Sequence, residues 1–499
     1  MQETPEKTAE MQQEPELTAA EKTQQAEDKK RLGLLKVLWP ASELGGGFNK
    51  AYFSTYNTYL YTDVYRMSTM FSGVLSLVQT VIGWIGGPLI GTFIDRTTFK
   101  KAKYYPWIIG GTIIAYLAWI LLFSLPALGL AGAGMSTVAL ILAIVIAIST
   151  PFSTVPIAAV FPQMSSDPKD RQYFAMMQKI GRDGGKTVFG YLVPWLLVLF
   201  TAKMSESNAY AVLGLIIGLI TIAFYVALAF GLRGSYVERN AVERSRTADG
   251  AKRKNISLGK MLQAVFTNKS LLSMYFFMSI HKGYYFIYIT CAAYVFKYLF
   301  GNFGMVGTFM TIFNLCAIIG VAFGPLWRKI FKETKRCFFM CMLTHVALQL
   351  VIALSFKSLS VPAYLGLFGA SSFFMGMLEN YIMPMFAASA DYGAWKTGNR
   401  LDGISMSIYS LTITTGVLLA TIIRTAVLNK IGLDAVVAGG AITAAFTGGL
   451  TNLFTWIPFV MSVVSLGFIV LFPLNDKRIA IMNEDIKAGR TAAQSSSKF

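Results

Sequence analysis

Eleven ionisable side chains stand inside otherwise apolar stretches of this chain: Glu43, Lys50, Asp63, Lys179, Arg182, Asp183, Lys186, His281, Lys282, Glu379 and Arg424. A charge at the centre of a bilayer costs at least about 2.5–3.5 kcal/mol on insertion scales, so each is a candidate binding, coupling or pairing group. Lys179 and Arg182 can donate to sugar hydroxyls or pair with a substrate carboxylate; the competing role is an ion pair with Asp183 or another buried acid. Lys50 lies about one turn before Tyr52, Tyr56 and Asn57, a polar and aromatic face that suits a cavity wall for a hydroxylated solute or, equally, helix–helix hydrogen bonding. His281 and Lys282 precede Tyr285 on one apolar run, and Glu379 sits on another. His281 titrates near neutrality unless perturbed, and a buried Glu379 could carry a proton. Both are therefore coupling candidates. The plainer alternatives are a histidine satisfied by a carbonyl, and a Glu379 paired with Lys282 or Lys50. Lys50, Tyr52, Tyr56, Asn57, Lys179, Arg182, Lys282, Tyr285 and Glu379 make up the expected substrate site.

The elements that must position these groups follow from composition. The 499 residues are 54% hydrophobic and 14% charged, with a mean hydropathy of +0.53. Most long segments run uncharged for the roughly 20 residues that a helix needs to cross hydrocarbon, and they are continuous rather than alternating, which excludes a barrel. Twelve spans are expected, near 41–63, 68–94, 104–125, 136–161, 173–201, 208–231, 269–299, 303–327, 336–356, 361–390, 402–428 and 448–473. The net charge of +18 is distributed over short loops rather than one soluble face, so a nucleic-acid partner is not expected. Lys and Arg gather at 29–36, 96–103, 169–171, 233–260, 328–336, 396–400 and 477–478, against Arg66, Lys203, Lys357 and Lys430 on the other side; the basic side is cytoplasmic, with both termini.

The expected organisation is a disordered tail (1–38), a six-helix bundle (39–231), a connector (232–266), a second six-helix bundle (267–473) and a polar tail (474–499). Two such halves are the plan of the major facilitator superfamily. The four cysteines lie in or beside apolar runs and read as small buried hydrophobes. No nucleophile constellation, metal-ligand spacing or cofactor motif is visible, and the glycines around Lys186 lack the strand–loop–helix setting of a phosphate loop, so no enzyme, metal or cofactor is expected.

Several motifs sharpen this plan: YTDVY (Tyr61–Tyr65), GGPLIG (Gly86–Gly91), a loose DRT…K…PWI…GT (Asp95 to Thr112), PFSTVP (Pro151–Pro156) with DPKDRQ (Asp167–Gln172), and DYGAWKTGNRLDG (Asp391–Gly403). With these the chain resembles the glycoside–pentoside–hexuronide (melibiose permease-like) cation symporters from its first span to its eleventh. The resemblance implies a midplane cavity worked by alternating access, a sugar, glycoside or hexuronide substrate (with a lipid-importing branch), and cation coupling through carboxylates on spans two and four. It also places a sugar-proximal arginine near Lys179 and an aromatic sugar platform at Glu379. The sequence departs from that pattern: the two acidic positions of span two fall on Gly83 and Gly87, the sugar-gripping acid of span one on Gly47, the span-four acid near Ser149 and the span-eleven lysine near Thr414. A hard cation needs several oxygens with carboxylate help, so the usual sodium site is not expected.

The loop charges Asp95, Arg96, Lys103, Asp391, Lys396, Arg400 and Asp402 are expected to gate the cytoplasmic mouth through ion pairs between the halves, with Asp63 and Arg66 acting similarly outside. The expected protein is a monomeric, multi-pass transporter of the bacterial inner membrane, carrying a hydrophilic, glycosidic or hexuronide-like, and on the excess of in-span cations anionic, small molecule. Coupling is to protons or absent. An amphiphile carrier of the same fold and a transport-dead regulatory protein are the alternatives.

Overall fold

The structure, a computed structural model, describes residues 19–97, 99, 102–164, 168–247, 268–397, 402–488 and 490–495. No strand occurs among them. The first half comprises α1 (Ala19–Asn49), α2 (Thr55–Tyr59), α3 (Thr69–Arg96), α4 (Tyr105–Leu122), α5 (Gly132–Val160), α6 (Pro168–Thr201) and α7 (Glu206–Leu232). After a short helix α8 (Tyr236–Thr247), the second half comprises α9 (Lys269–Tyr298), α10 (Met305–Phe331), α11 (Thr334–Ser355), α12 (Val361–Thr397), α13 (Asp402–Lys430), α14 (Leu433–Val437), α15 (Ala444–Phe454) and α16 (Trp456–Leu471). A last helix, α17, spans Asp476–Lys487.

Among the described residues ten helices are long and apolar enough to cross a membrane, α15 and α16 counting as one. The first helix α1 and α9 are not among them although each is of spanning length; polar and charged residues, Glu43 on α1 and His281, Lys282 and Lys297 on α9, stand along them.

The halves repeat one packing scheme. In the first, α1 lies on α6 and α7, α4 on α5 and α7, and α3 on α5. In the second, α9 lies on α13 and α16, α11 on α12 and α16, and α10 on α12, the same pairings in the same order. The halves meet along α6–α10 and α3–α13. Small residues let these seams close: a Cβ on Gly73 would sit 2.3 Å from the Thr425 methyl, and one on Gly307 would sit 2.9 Å from the Tyr191 carbonyl. At these points neither seam is open to the side.

Three expected boundaries change. The tail expected at 1–38 is helical from Ala19, with Leu35 and Trp39 fully buried, Lys36 paired with Asp170 at 2.6 Å and Arg31 donating to the Arg233 carbonyl at 2.7 Å. The connector expected at 232–266 begins as α8, tied back by the Arg239–Asp28 pair at 2.6 Å; residues 248–267 lie outside the described ones. The tail expected at 474–499 folds as α17, whose buried Asp485 accepts from the Trp395 indole at 3.1 Å and from Arg490 at 2.9 Å. Composition marked these stretches as polar, but half of each short helix can still be covered by the bundle end.

Candidate functional site

The first helix is not regular where it passes the centre of the molecule. Residues Lys50–Ser54 and Leu60–Val64 form π turns on either side of α2. A π turn inserts one residue into the helical repeat and is often retained at functional sites. Its widened ladder is partly filled by Thr55, whose hydroxyl donates to the Lys50 carbonyl at 2.9 Å. Lys50, Ser54, Asn57 and Thr58, at the ordinary i, i+4, i+7, i+8 spacing of one helical face, line a central cavity of about 350 Å³ lying between the halves. The cavity is completed by Ser76, Gln79 and Thr80 of α3, Trp119 of α4, Lys186 of α6, Tyr285 and Thr290 of α9, Asn314 of α10, and Thr421 and Arg424 of α13. Amides, hydroxyls and an indole face are the groups that hold a polyhydroxylated solute. The described charged residues of the wall are Lys50, Lys186 and Arg424, and none of the described lining residues is acidic.

Of the residues expected in the substrate site, Lys50, Asn57 and Tyr285 line the cavity. Tyr52 and Tyr56 do not. Both are fully buried on the far side of the first helix, where the Tyr52 hydroxyl donates to the Tyr210 carbonyl at 2.5 Å and both rings lie against Tyr210. Helical spacing is the reason: Tyr52 and Tyr56 stand one turn apart on one side of the helix, while Lys50 and Asn57, two turns apart, stand on the other.

Arg182 is committed to Glu43, with its Nε at 2.8 Å and Nη2 at 2.6 Å from the same carboxylate oxygen, while Gln178 donates to the other oxygen at 2.9 Å. This pair stays within the first half, where the first helix and α6 touch through glycines. A Cβ on Gly47 would sit 2.5 Å from the Arg182 carbonyl, and one on Gly185 would sit 2.6 Å from the Leu44 carbonyl. Gly47, where the resemblance would place an acid, is thus a contact point with no room for a side chain. Lys186 pairs with Asp183 at 2.9 Å. Lys179 is exposed.

Lys282 and Glu379 meet at 2.7 Å, joining α9 to α12, with the Lys282 ammonium 5.4 Å from the centre of the Tyr285 ring. The Glu379 carboxylate also feels Lys179 and Lys186 from the other half. His281 points elsewhere: it is 1% exposed, and its Nδ1 lies 2.5 Å from the Tyr284 hydroxyl inside the second half, away from the cavity.

One residue that sequence reasoning passed over closes the site at the end remote from α8. Lys297 of α9 pairs with Asp63 at 2.7 Å and donates to the Tyr59 hydroxyl at 2.8 Å, and Tyr298 donates to the same Asp63 oxygen. Thr62 and Tyr294 share a 2.7 Å bond beside it, and the backbone N–H of Thr69 donates to Asp434 at 2.8 Å. The expected role of Asp63 thus falls to a pair with Lys297. Arg66, exposed and in the left-handed backbone region at φ 53°, is not its partner. Lys297 was hidden because a lysine near a helix end also reads as one reaching for the interface.

Toward the α8 end the pairs just described, Glu43–Arg182 and Lys282–Glu379, each stay within one half. Of the expected gating residues there, Lys103 is buried, its backbone N–H bonded to Glu238 at 2.6 Å and its ammonium near the Thr97 carbonyl at 3.3 Å. Lys396 is exposed and Asp391 half-buried on α12. The side chains of Asp95, Arg96 and Asp402, and the whole of Arg400, lie outside the described residues.

The family described as MFS/sugar transport protein matches residues 41–476. The isoprimeverose transporter of Lactiplantibacillus pentosus is 24% identical over 445 residues, covering 86% of this chain and 87% of its own. The putative sulfoquinovose importer of Escherichia coli (strain K12) is 24% identical over 470 residues, covering 90% and 93%. Among solved structures, that of a point mutant of the nucleoside transporter NupG superposes with a TM-score of 0.62 over 88% of this chain and 100% of its own, at 12% identity. A two-fold repeated helical bundle around a polar central cavity, matched by this family over residues 41–476, has one assignment: the chain is an integral membrane transporter of the MFS/sugar transport protein family.

Proposed function

We propose that this protein carries a hydrophilic, glycosidic or hexuronide-like solute across the membrane by alternating access of the central cavity. The observation that carries the reading is the cavity wall: hydroxyl, amide and indole groups from both halves, with Lys50, Lys186 and Arg424 among them. The Asp63–Lys297 seal and the half-confined pairs at the α8 end fit a conformation closed outside and open toward the cytoplasm. Its cycle exchanges that seal for contacts at the basic end. The relatives named for isoprimeverose and sulfoquinovose support a sugar-like solute. The packed Gly73 and Gly307 seams favour a hydrophilic solute over an amphiphile entering from the side.

Sodium has no carboxylate at the span-two positions, which hold Gly83 and Gly87. Transport is then either coupled to protons at the Lys282–Glu379 pair or uncoupled. His281, enclosed in the second half, is not part of the route. The test is uptake of a radiolabelled panel of glycosides and hexuronides into proteoliposomes, with sodium, proton or no gradient imposed. Saturable uptake of panel members is expected. A protein that moves none of them under any gradient would refute the reading.

A further inference from the structure

The cavity holds a cation that the protein itself does not balance. Arg424 of α13 is 3% exposed, lines the cavity, and has a buried Nε without a hydrogen-bond partner. No carboxylate pairs with it among the described residues; its electrostatic neighbours are Tyr294 and Cys291 of α9. This separates it from Arg182, Lys186 and Lys282. Arg182 has Glu43, Lys186 has Asp183 and Lys282 has Glu379. A lysine in that position could shed its proton, but a guanidinium cannot. An unpaired buried charge is among the most expensive features a membrane interior can hold, and it persists where a ligand supplies the counter-charge. The planar fork matches a carboxylate in two-point contact. Lys50, which faces the same cavity without an ion pair among the described residues, adds a second basic nitrogen that can donate. The hydroxyl and amide groups of Thr421, Gln79 and Asn314 belong to the same wall and suit the rest of a sugar.

We infer that Arg424 is the specificity-determining anchor for a carboxylate on the transported solute, which makes the substrate a sugar acid rather than a neutral glycoside. This rests on the transporter reading above and narrows it to one chemical class. The position also ties binding to the outer seal: Tyr294, next to Arg424, holds Thr62 at 2.7 Å, one residue from Asp63.

The experiment compares a hexuronate with its neutral uronamide, by binding to purified protein in detergent and by uptake into proteoliposomes, in chloride and in chloride-free methanesulfonate buffer. The wild-type protein is expected to prefer the acid by at least about tenfold, with Arg424→Gln abolishing that preference and Arg424→Lys restoring part of it. Equal handling of acid and amide by the wild type needs no variant to interpret; it would overturn the carboxylate anchor while leaving a sugar transporter in place. A chloride effect that Arg424→Gln removes, without any acid preference, would make Arg424 a halide site and overturn it too. Failure to bind or move either compound would defeat the transporter reading and this inference with it.

Discussion

Lys297 and Asp63 form a 2.7 Å ion pair between the ends of α9 and the first helix, and the acid is the more deeply enclosed partner, with its side chain fully buried while that of Lys297 is 34% exposed. Asp63 is therefore the residue that depends on the bond. Tyr59 and Tyr298 complete the cluster, so the pair acts as a clasp between the halves rather than as an isolated surface bridge.

Replacing Lys297 with Met should loosen that clasp. Partial exposure limits the effect to about 1–2 kcal/mol, roughly a tenfold shift toward the state open on the far side. Spin labels at the exposed positions Arg66 and Lys357, one on each half, would report it as a longer outer distance. An unchanged distance distribution would remove Lys297 from the gate.

Uptake should be indifferent to replacement of sodium by potassium on either side of the membrane. Gly83 and Gly87 offer no carboxylate, and their backbone carbonyls are engaged in α3. A sodium gradient that drives accumulation would mean that the cation is held elsewhere in the cavity.

Lys282 and Glu379 should behave as a coupled unit. Glu379→Gln and Lys282→Met each strand a buried charge or weaken its partner, whereas the double variant removes both. Thermal unfolding in detergent is expected to give a coupling energy of about 1–3 kcal/mol, the double variant being less damaged than the sum of the singles. Additive losses would show that the pair does not hold α9 to α12.

Glu238 should matter to stability and not to substrate recognition. Its carboxylate accepts the backbone N–H groups of Lys103 at 2.6 Å, Tyr104 at 2.9 Å and Tyr105 at 2.7 Å, capping the start of α4 from the connector helix. Glu238→Ala should cost about 1–3 kcal/mol, read as a lower unfolding midpoint with unchanged substrate affinity. Burial, opposed by those three donors, lifts the carboxyl above its ordinary 4.5. A folded-state value above the unfolded one means that the native state binds the extra proton. The associated stability is fully present below about 4.5 and is lost as pH rises through the raised value; Glu238→Gln should flatten that slope. An identical pH profile in the variant would contradict the assignment.

The apolar run lengths, the loop charges and the ionisable groups set inside the spans were all legible in the residues, because the bilayer demands long uninterrupted helices and makes any charge within them conspicuous. The Lys282–Glu379 partnership was also open to inspection as one of two options for Glu379. Which side of a helix faces the cavity was not. The first helix carries Tyr52 and Tyr56 on one side and Lys50 and Asn57 on the other, and only the packing shows that the tyrosine side is core and the lysine side is cavity wall. Nor could spacing show that Gly47 is pressed against the Arg182 carbonyl, that Asp63 takes Lys297, or that Arg424 is left without an acid among the described residues. Each of these depends on how helices distant in the chain approach one another, and such pairing is decided by packing in three dimensions rather than by the local pattern that makes each helix.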